Sequence, residues 1–161
     1  MTAKSLAVRA ALGFSTDQYR EWVAAHELGH AIASIGAGER VKEIEIVLDR
    51  DGPVMGRTVL SRWGRRDRMA ALVGLHGGHV ADELWLRARG LWSPGRSAIC
   101  QSSSRRDYEQ ISQLAESSNE SAAAASAARR HIETNWQTFL AGLTFLATSS
   151  RLSGRALRVS A

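Results

Sequence analysis

Apolar residues recur at helical spacing through Tyr19, Trp22, Val23, Ala25 and Ile32, and Ser15 followed three residues later by Gln18 makes a capping box ahead of them. This predicts a helix that starts near Thr16 and stops around Ile35, where Gly36 and Gly38 tolerate left-handed backbone. From Val41 to Leu48 the period changes to two, with Ile44, Ile46 and Leu48 on one face and Glu43 and Glu45 on the other, as in a half-buried strand. Asp49, Arg50, Asp51 and Gly52 form a turn signal, so Val54 to Leu60 is predicted to return as the second strand of a hairpin. Helical spacing resumes from about Arg65 to Arg89 through Met69, Leu72, Val73, Val80, Leu84 and Trp85. Gly77 and Gly78 interrupt it at a cost of about 1 kcal/mol each relative to alanine, which implies close packing against another element.

Beyond Arg89, the stretch from Gly90 to Ser103 contains Pro94, two glycines and several serines and reads as a loop. Ser104 and Asp107 repeat the capping-box spacing and open a helix through Tyr108, Ile111 and Leu114. After an interruption at Ser117 to Ser121, an alanine-rich helix is expected to run to about Thr148, and Arg151 to Val159 reads as a short C-terminal helix anchored by Leu152 and Leu157. The expected fold is therefore α+β and mainly helical: a long first helix, a small β-hairpin, and a C-terminal helical bundle. Residues 1–14 are expected to be a flexible or docking arm and 15–161 a single domain.

Composition narrows the possible partners. A chain of 161 residues with 44% hydrophobic and 23% charged residues suits one globular core. The net charge of +5 raises a polyanion partner, but the arginines are scattered. Their densest group, Arg62, Arg65, Arg66 and Arg68, leads into the third periodic segment as the solvated start of a helix would, which disfavours nucleic-acid binding. The longest strongly apolar run, Phe139 to Ala147, falls far short of the roughly 20 residues of a membrane span. Cys100 is the only cysteine, which excludes an internal disulfide and a thiolate-rich zinc site and fits a reducing compartment. Arg9 interrupts what would be the apolar core of a signal peptide, so a cytoplasmic location is expected.

The chemistry concentrates in His26-Glu27-Leu28-Gly29-His30, a match to H-E-x-x-H inside the first predicted helix. Histidines four apart lie one turn above each other and can face one metal, while Glu27 sits about 100° around the helix, close enough to touch a metal-bound water. Zinc lowers the pKa of such a water to about 7, and a neighbouring carboxylate can accept its proton and return it to a leaving amine. A catalytic zinc needs a third protein ligand. On spacing alone His76, His79, Asp82, Glu83 and Asp107 are all candidates.

Three segments carry a family resemblance. Val23-Ala24-Ala25-His26-Glu27-Leu28-Gly29-His30-Ala31 resembles the zinc-binding helix of the FtsH-type peptidases, the proteolytic half of membrane-bound ATP-dependent proteases. Gly78-His79-Val80-Ala81-Asp82-Glu83-Leu84 resembles that family's Gly-Arg-x-Ala-Glu-Glu-Leu helix, and Ser104-Arg105-Arg106-Asp107-Tyr108-Glu109-Gln110 resembles its aspartate-bearing segment. Carried over by position, the resemblance implies zinc held by His26, His30 and Asp107, Glu27 as the base, and Glu83 as a partner holding a histidine ring. The chain departs from the family in having Ser103-Ser104 where Gly-Ala is usual and in placing Arg105 and Arg106 beside the metal; Asp107 also has an alternative role as a helix cap. No Gly-x-x-x-x-Gly-Lys-Ser/Thr phosphate-binding run occurs. The resemblance thus implies a stand-alone, ATP-independent zinc endopeptidase for extended or unfolded polypeptides. Its implied partners are a separate ATPase or unfoldase and further copies of the chain, in a hexamer or smaller assembly. The alternative is a non-enzymatic interaction or regulatory module on the same fold.

Overall fold

A 21-residue helix built on the H-E-x-x-H segment is the axis of the fold, and most other elements pack on it. The computed structural model describes residues 3–49, 52–61 and 67–160. In chain order these form α1 (Ala3–Leu12), α2 (Thr16–Gly36), β1 (Val41–Asp49), β2 (Gly52–Leu60), α3 (Arg68–Ala88), α4 (Pro94–Ser103), α5 (Arg105–Leu114), α6 (Ser118–Thr134), α7 (Trp136–Thr148) and β3 (Arg151–Ser153), followed by a 3₁₀ turn at Gly154–Ala156. The mainly helical α+β class expected from the periodicities is the class observed.

The capping box at the start of α2 forms as predicted: Gln18 N donates to Ser15 Oγ, and Ser15 N donates to Gln18 Oε1. Leu28, Ala31, Ile32 and Ala33 of α2 are fully buried. α3 is its closest partner, and small residues make that possible. A Cβ on Gly29 would lie 2.3 Å from the Gly77 carbonyl oxygen, and a Cβ on Gly77 equally close to that of Gly29. Gly77, one of the two glycines that interrupt the helical pattern of α3, is therefore where two backbones touch.

The hairpin gains a third strand, giving an antiparallel sheet of order β2-β1-β3. Ile44 and Ile46 are buried on one face of β1. On the opposite face Glu45 accepts from Arg57 of β2 and Arg151 of β3, and these arginines, Arg151 foremost, hold its carboxyl below the usual carboxylate range against the opposing effect of burial.

The N-terminal segment contains α1 and ends in Leu12 and Phe14, both buried, while three expectations for later segments are corrected. The Phe14 ring packs edge-on against Trp85 at 5.6 Å, and Arg96 Nε donates to the Leu12 carbonyl. Residues 94–103, read as loop, form α4. Ser93 caps it by accepting from Arg96 N, and Pro94 occupies the first turn, so the serine and proline mark a helix start here. The alanine-rich helix is two helices divided at Asn135, whose side chain donates to the His131 and Ser160 carbonyls and accepts from Ser160 N. The C-terminal segment is not an α-helix: Arg151 to Ser153 pair with Glu45 to Glu43, placing buried Leu152 opposite Ile44. An open edge of β1 overrides the local helical spacing. The turn at Arg50 and Asp51 and the arginines at 62, 65 and 66 lie outside the described residues, as do residues 1 and 2 of the expected arm. Among the described residues no helix is long and apolar enough to cross a membrane.

Candidate metal centre

One turn of α2 presents both imidazoles toward α3 and α5. His26 Nδ1 lies 3.0 Å from Asp82 Oδ2, and His30 Nδ1 lies 2.8 Å from the Gly74 carbonyl oxygen, both on α3. A carbonyl can only accept, and so can an ionised carboxylate, so each ring carries its proton on Nδ1 and directs Nε2 inward. The two Nε2 atoms are 3.0 Å apart, and Asp107 Oδ2 of α5 stands 3.3 Å from one and 3.5 Å from the other. Three electron-pair donors thus converge on one point. Metal–ligand bonds of about 2.0–2.1 Å in a tetrahedron put neighbouring donors roughly 3.3 Å apart, so the triangle is the size a small divalent ion requires. Among the described residues His26, His30 and Asp107 are the group with the spacing to hold a metal ion.

The surroundings are shaped to the rings. A Cβ on Gly78 would lie 2.5 Å from His30 Nε2 and 2.6 Å from His26 Cε1, so the missing side chain is what admits both imidazoles. Burial works against charge on His26, but Asp82, Asp107 and Glu27 prevail and hold its pKa well above the ordinary imidazole value. Burial likewise opposes ionisation of Asp107, yet His26 and His30 hold its carboxyl well below the usual range.

Glu27 is buried beside them. The Thr58 hydroxyl of β2 lies 2.8 Å from both Glu27 Oε2 and the Glu27 carbonyl oxygen, and donates its one proton to either. Gly56, two residues earlier, leaves the room this carboxylate occupies: a Cβ there would lie 2.3 Å from Glu27 Cγ. Glu27, His26, His30 and Asp107 open onto one cleft of about 500 Å³ that is also lined by Thr58 and Arg106. Two larger clefts, of about 870 and 620 Å³, contain none of these groups and no histidine, so chemistry rather than size marks the site.

Asp107 does not act as a helix cap. Ser104, the residue before α5, makes no side-chain capping bond and donates instead to the Cys100 carbonyl, leaving Asp107 to the histidines. Glu83, expected to hold a histidine ring, pairs with Arg87 and Arg129. The preceding residue, Asp82, takes that role because it lies one turn beyond Gly78 on the helix face toward α2. His76 and His79 pair with each other and stay outside the triangle: His76 Nε2 lies 3.0 Å from Ser121 Oγ, and His79 stacks on Tyr108. The sequence reading missed Thr58, Gly56 and the Gly74 carbonyl, none of which lies in a metal-binding motif.

No protein-family model matches the chain, and no curated protein matches it in sequence.

Proposed function

We propose that this chain is a zinc-dependent endopeptidase that hydrolyses extended or unfolded polypeptides. The observation that carries the reading is the position of Glu27, a buried carboxylate fixed by Thr58 and facing the same cleft as three convergent donor atoms. A site serving only to brace the fold has no use for that base, which is why the enzyme is preferred over a non-enzymatic module. Two imidazoles and a carboxylate, with the fourth side open to the cleft, match the donor set of catalytic zinc. When bound, zinc would polarise the scissile carbonyl and acidify a water. Glu27 takes the proton from the attacking water and returns it to the departing amine. Asp82 and the Gly74 carbonyl keep both rings in the tautomer that leaves Nε2 free.

The sheet supports an extended substrate. β2 is an edge strand, and its Gly56–Thr58 stretch lines the cleft, so a polypeptide could add beside it as a further strand and be read through its backbone. Folded substrates would come from a separate unfoldase. The resemblance to FtsH-type peptidases in three segments points the same way and favours an oligomer of up to six chains.

The test is digestion of unfolded casein by zinc-loaded wild type and Glu27→Gln, with zinc per chain measured by elemental analysis. We expect one zinc in both and a fall of about 10²- to 10⁴-fold in rate for the variant. Equal rates would remove Glu27 from the mechanism, and no zinc under any loading condition would remove the metal.

A further inference from the structure

Arg106 sits in the second position of α5, beside Asp107, and lines the cleft onto which Glu27 opens. A cation in the first turn of a helix faces the positive end of the helix dipole, so local physics disfavours it there. Arg105 has the same problem and a remedy: its Nε lies 2.8 Å from Glu109 Oε1, one turn on. One turn beyond Arg106 stands Gln110, which carries no charge. Among the described residues Arg106 has no ion pair and no hydrogen bond. Arg57, the other described arginine of the cleft, already has a carboxylate, since it pairs with Glu45 on the sheet face turned away from Glu27. Asp107 and Glu27 are matched to a divalent ion and an attacking water. The guanidinium of Arg106 is therefore left exposed to solvent, with no partner within the described chain, on the wall of the cleft, a breach of a local rule of the kind that marks a functional position.

We propose that Arg106 is a specificity-determining residue that binds a substrate carboxylate close to the scissile bond. This rests on the endopeptidase reading for its setting, but makes a separate claim about binding. A planar guanidinium takes a carboxylate through two parallel hydrogen bonds, and the N-terminal dipole of α5 adds to its attraction. The carboxylate can belong to an aspartate or glutamate side chain within the substrate or to its C-terminus. Around it Ala71, Leu75 and Leu114 give the cleft an apolar wall, suited to the neighbouring uncharged residues of an extended chain.

The experiment uses four unstructured fluorescent peptides of one sequence. Three are amidated at the C-terminus and carry Glu, Gln or Lys at one internal position; the fourth carries Gln and a free C-terminal carboxylate. Binding is read by anisotropy with zinc-loaded Glu27→Gln protein, and cleavage by kcat/KM with protein that retains Glu27. Each is repeated with Arg106→Gln, Arg106→Glu and, as a control for the general positive charge of the chain, Arg105→Gln. We expect the Glu peptide or the free-carboxylate peptide to bind about five- to tenfold more tightly than the amidated Gln peptide, the modest size reflecting a solvated cleft. Which of the two is preferred identifies the source of the carboxylate. Arg106→Gln should bring the ratio near one, Arg106→Glu should turn it toward Lys, and Arg105→Gln should leave it in place. Equal binding of all four peptides, or equal loss in Arg105→Gln and Arg106→Gln, overturns the proposal. If nothing is cleaved while the binding ratios behave as expected, the peptidase reading fails and the carboxylate site stands.

Discussion

His26 and His30 on α2, and His76 and His79 on α3, are both histidine pairs about one helical turn apart, with rings meeting edge to face at 4.6 and 5.0 Å. Their surroundings differ. Each ring of the first pair gives its Nδ1 proton to an oxygen acceptor on α3, and a carboxylate from α5 faces both Nε2 atoms. The second pair meets a hydroxyl and itself: His76 Nε2 lies by Ser121, its Nδ1 stands 3.4 Å from His79 Nε2, and His79 Nδ1 is buried with no hydrogen-bond partner among the described residues. Burial accordingly pushes both histidines of this pair down, His79 to about 4, whereas carboxylates drive His26 the opposite way. Spacing along a helix brings two imidazoles together; the acceptors behind them and the charge in front decide what the pair can hold.

The comparison breaks most sharply on metal binding. His26→Ala and Asp107→Ala each remove a donor from the triangle, and zinc affinity should fall more than about a hundredfold, beyond the usual effect of losing an outer hydrogen-bond partner. His76→Ala should keep one zinc per chain at nearly the parent affinity. Competition with a chromogenic chelator reads all three. A loss in His76→Ala as large as in His26→Ala would mean that both pairs share the ion.

How much of this was legible beforehand depended on the range of the interactions involved. The α2 helix and its two histidines follow from a period and a motif contained within one turn, and the capping box and hairpin are equally local. α4 was hidden because Ser93 and Pro94 signal both a loop and a helix start, and β3 because its conformation is set by an edge of β1 more than a hundred residues earlier in the chain. Asp107 lay within reach through the family resemblance, although its spacing from Ser104 fitted a cap just as well. Choosing Asp82 over Glu83 needed the rotation of α3, which is fixed by the contact between Gly77 and Gly29. Thr58 was out of reach because nothing in sequence ties it to Glu27, 31 residues away.

Asp82→Asn sharpens the same contrast with a smaller effect. An amide keeps the shape but removes the charge that orients His26 and makes its ring more basic, so zinc affinity and kcat/KM should fall about 10- to 100-fold. Glu83→Gln, which loses only pairs with Arg87 and Arg129, should change either by less than about twofold. If the two variants weaken zinc equally, the ring is not held by the residue that the geometry indicates.

The smallest effect tests the second pair through pH. Burial first, then the charges of His76, His26 and His30, lower the His79 pKa from 6.5 to about 4, with Asp107 opposing. The folded chain therefore protonates His79 only near pH 4, while the unfolded chain does so near 6.5. Between those values the unfolded state binds more protons, so the stability His79 contributes is complete above pH 6.5 and is lost as pH falls toward 4. Comparison with a variant that lacks only His79 isolates its contribution: His26 is present in both proteins, so its titration cancels from the difference, and the Asp107 carboxyl, held well below its usual range, stays ionised in the folded state. Chelator-treated protein, unfolded with urea at pH 6.5 and 5, should lose about 1–2 kcal/mol more in wild type than in His79→Phe, which keeps the stacking on Tyr108. His76 titrates in both proteins and cancels from the difference. Equal losses would show that His79 is already solvated enough to titrate normally, and the contrast between the two pairs would then rest on the acceptors around His26 and His30 alone.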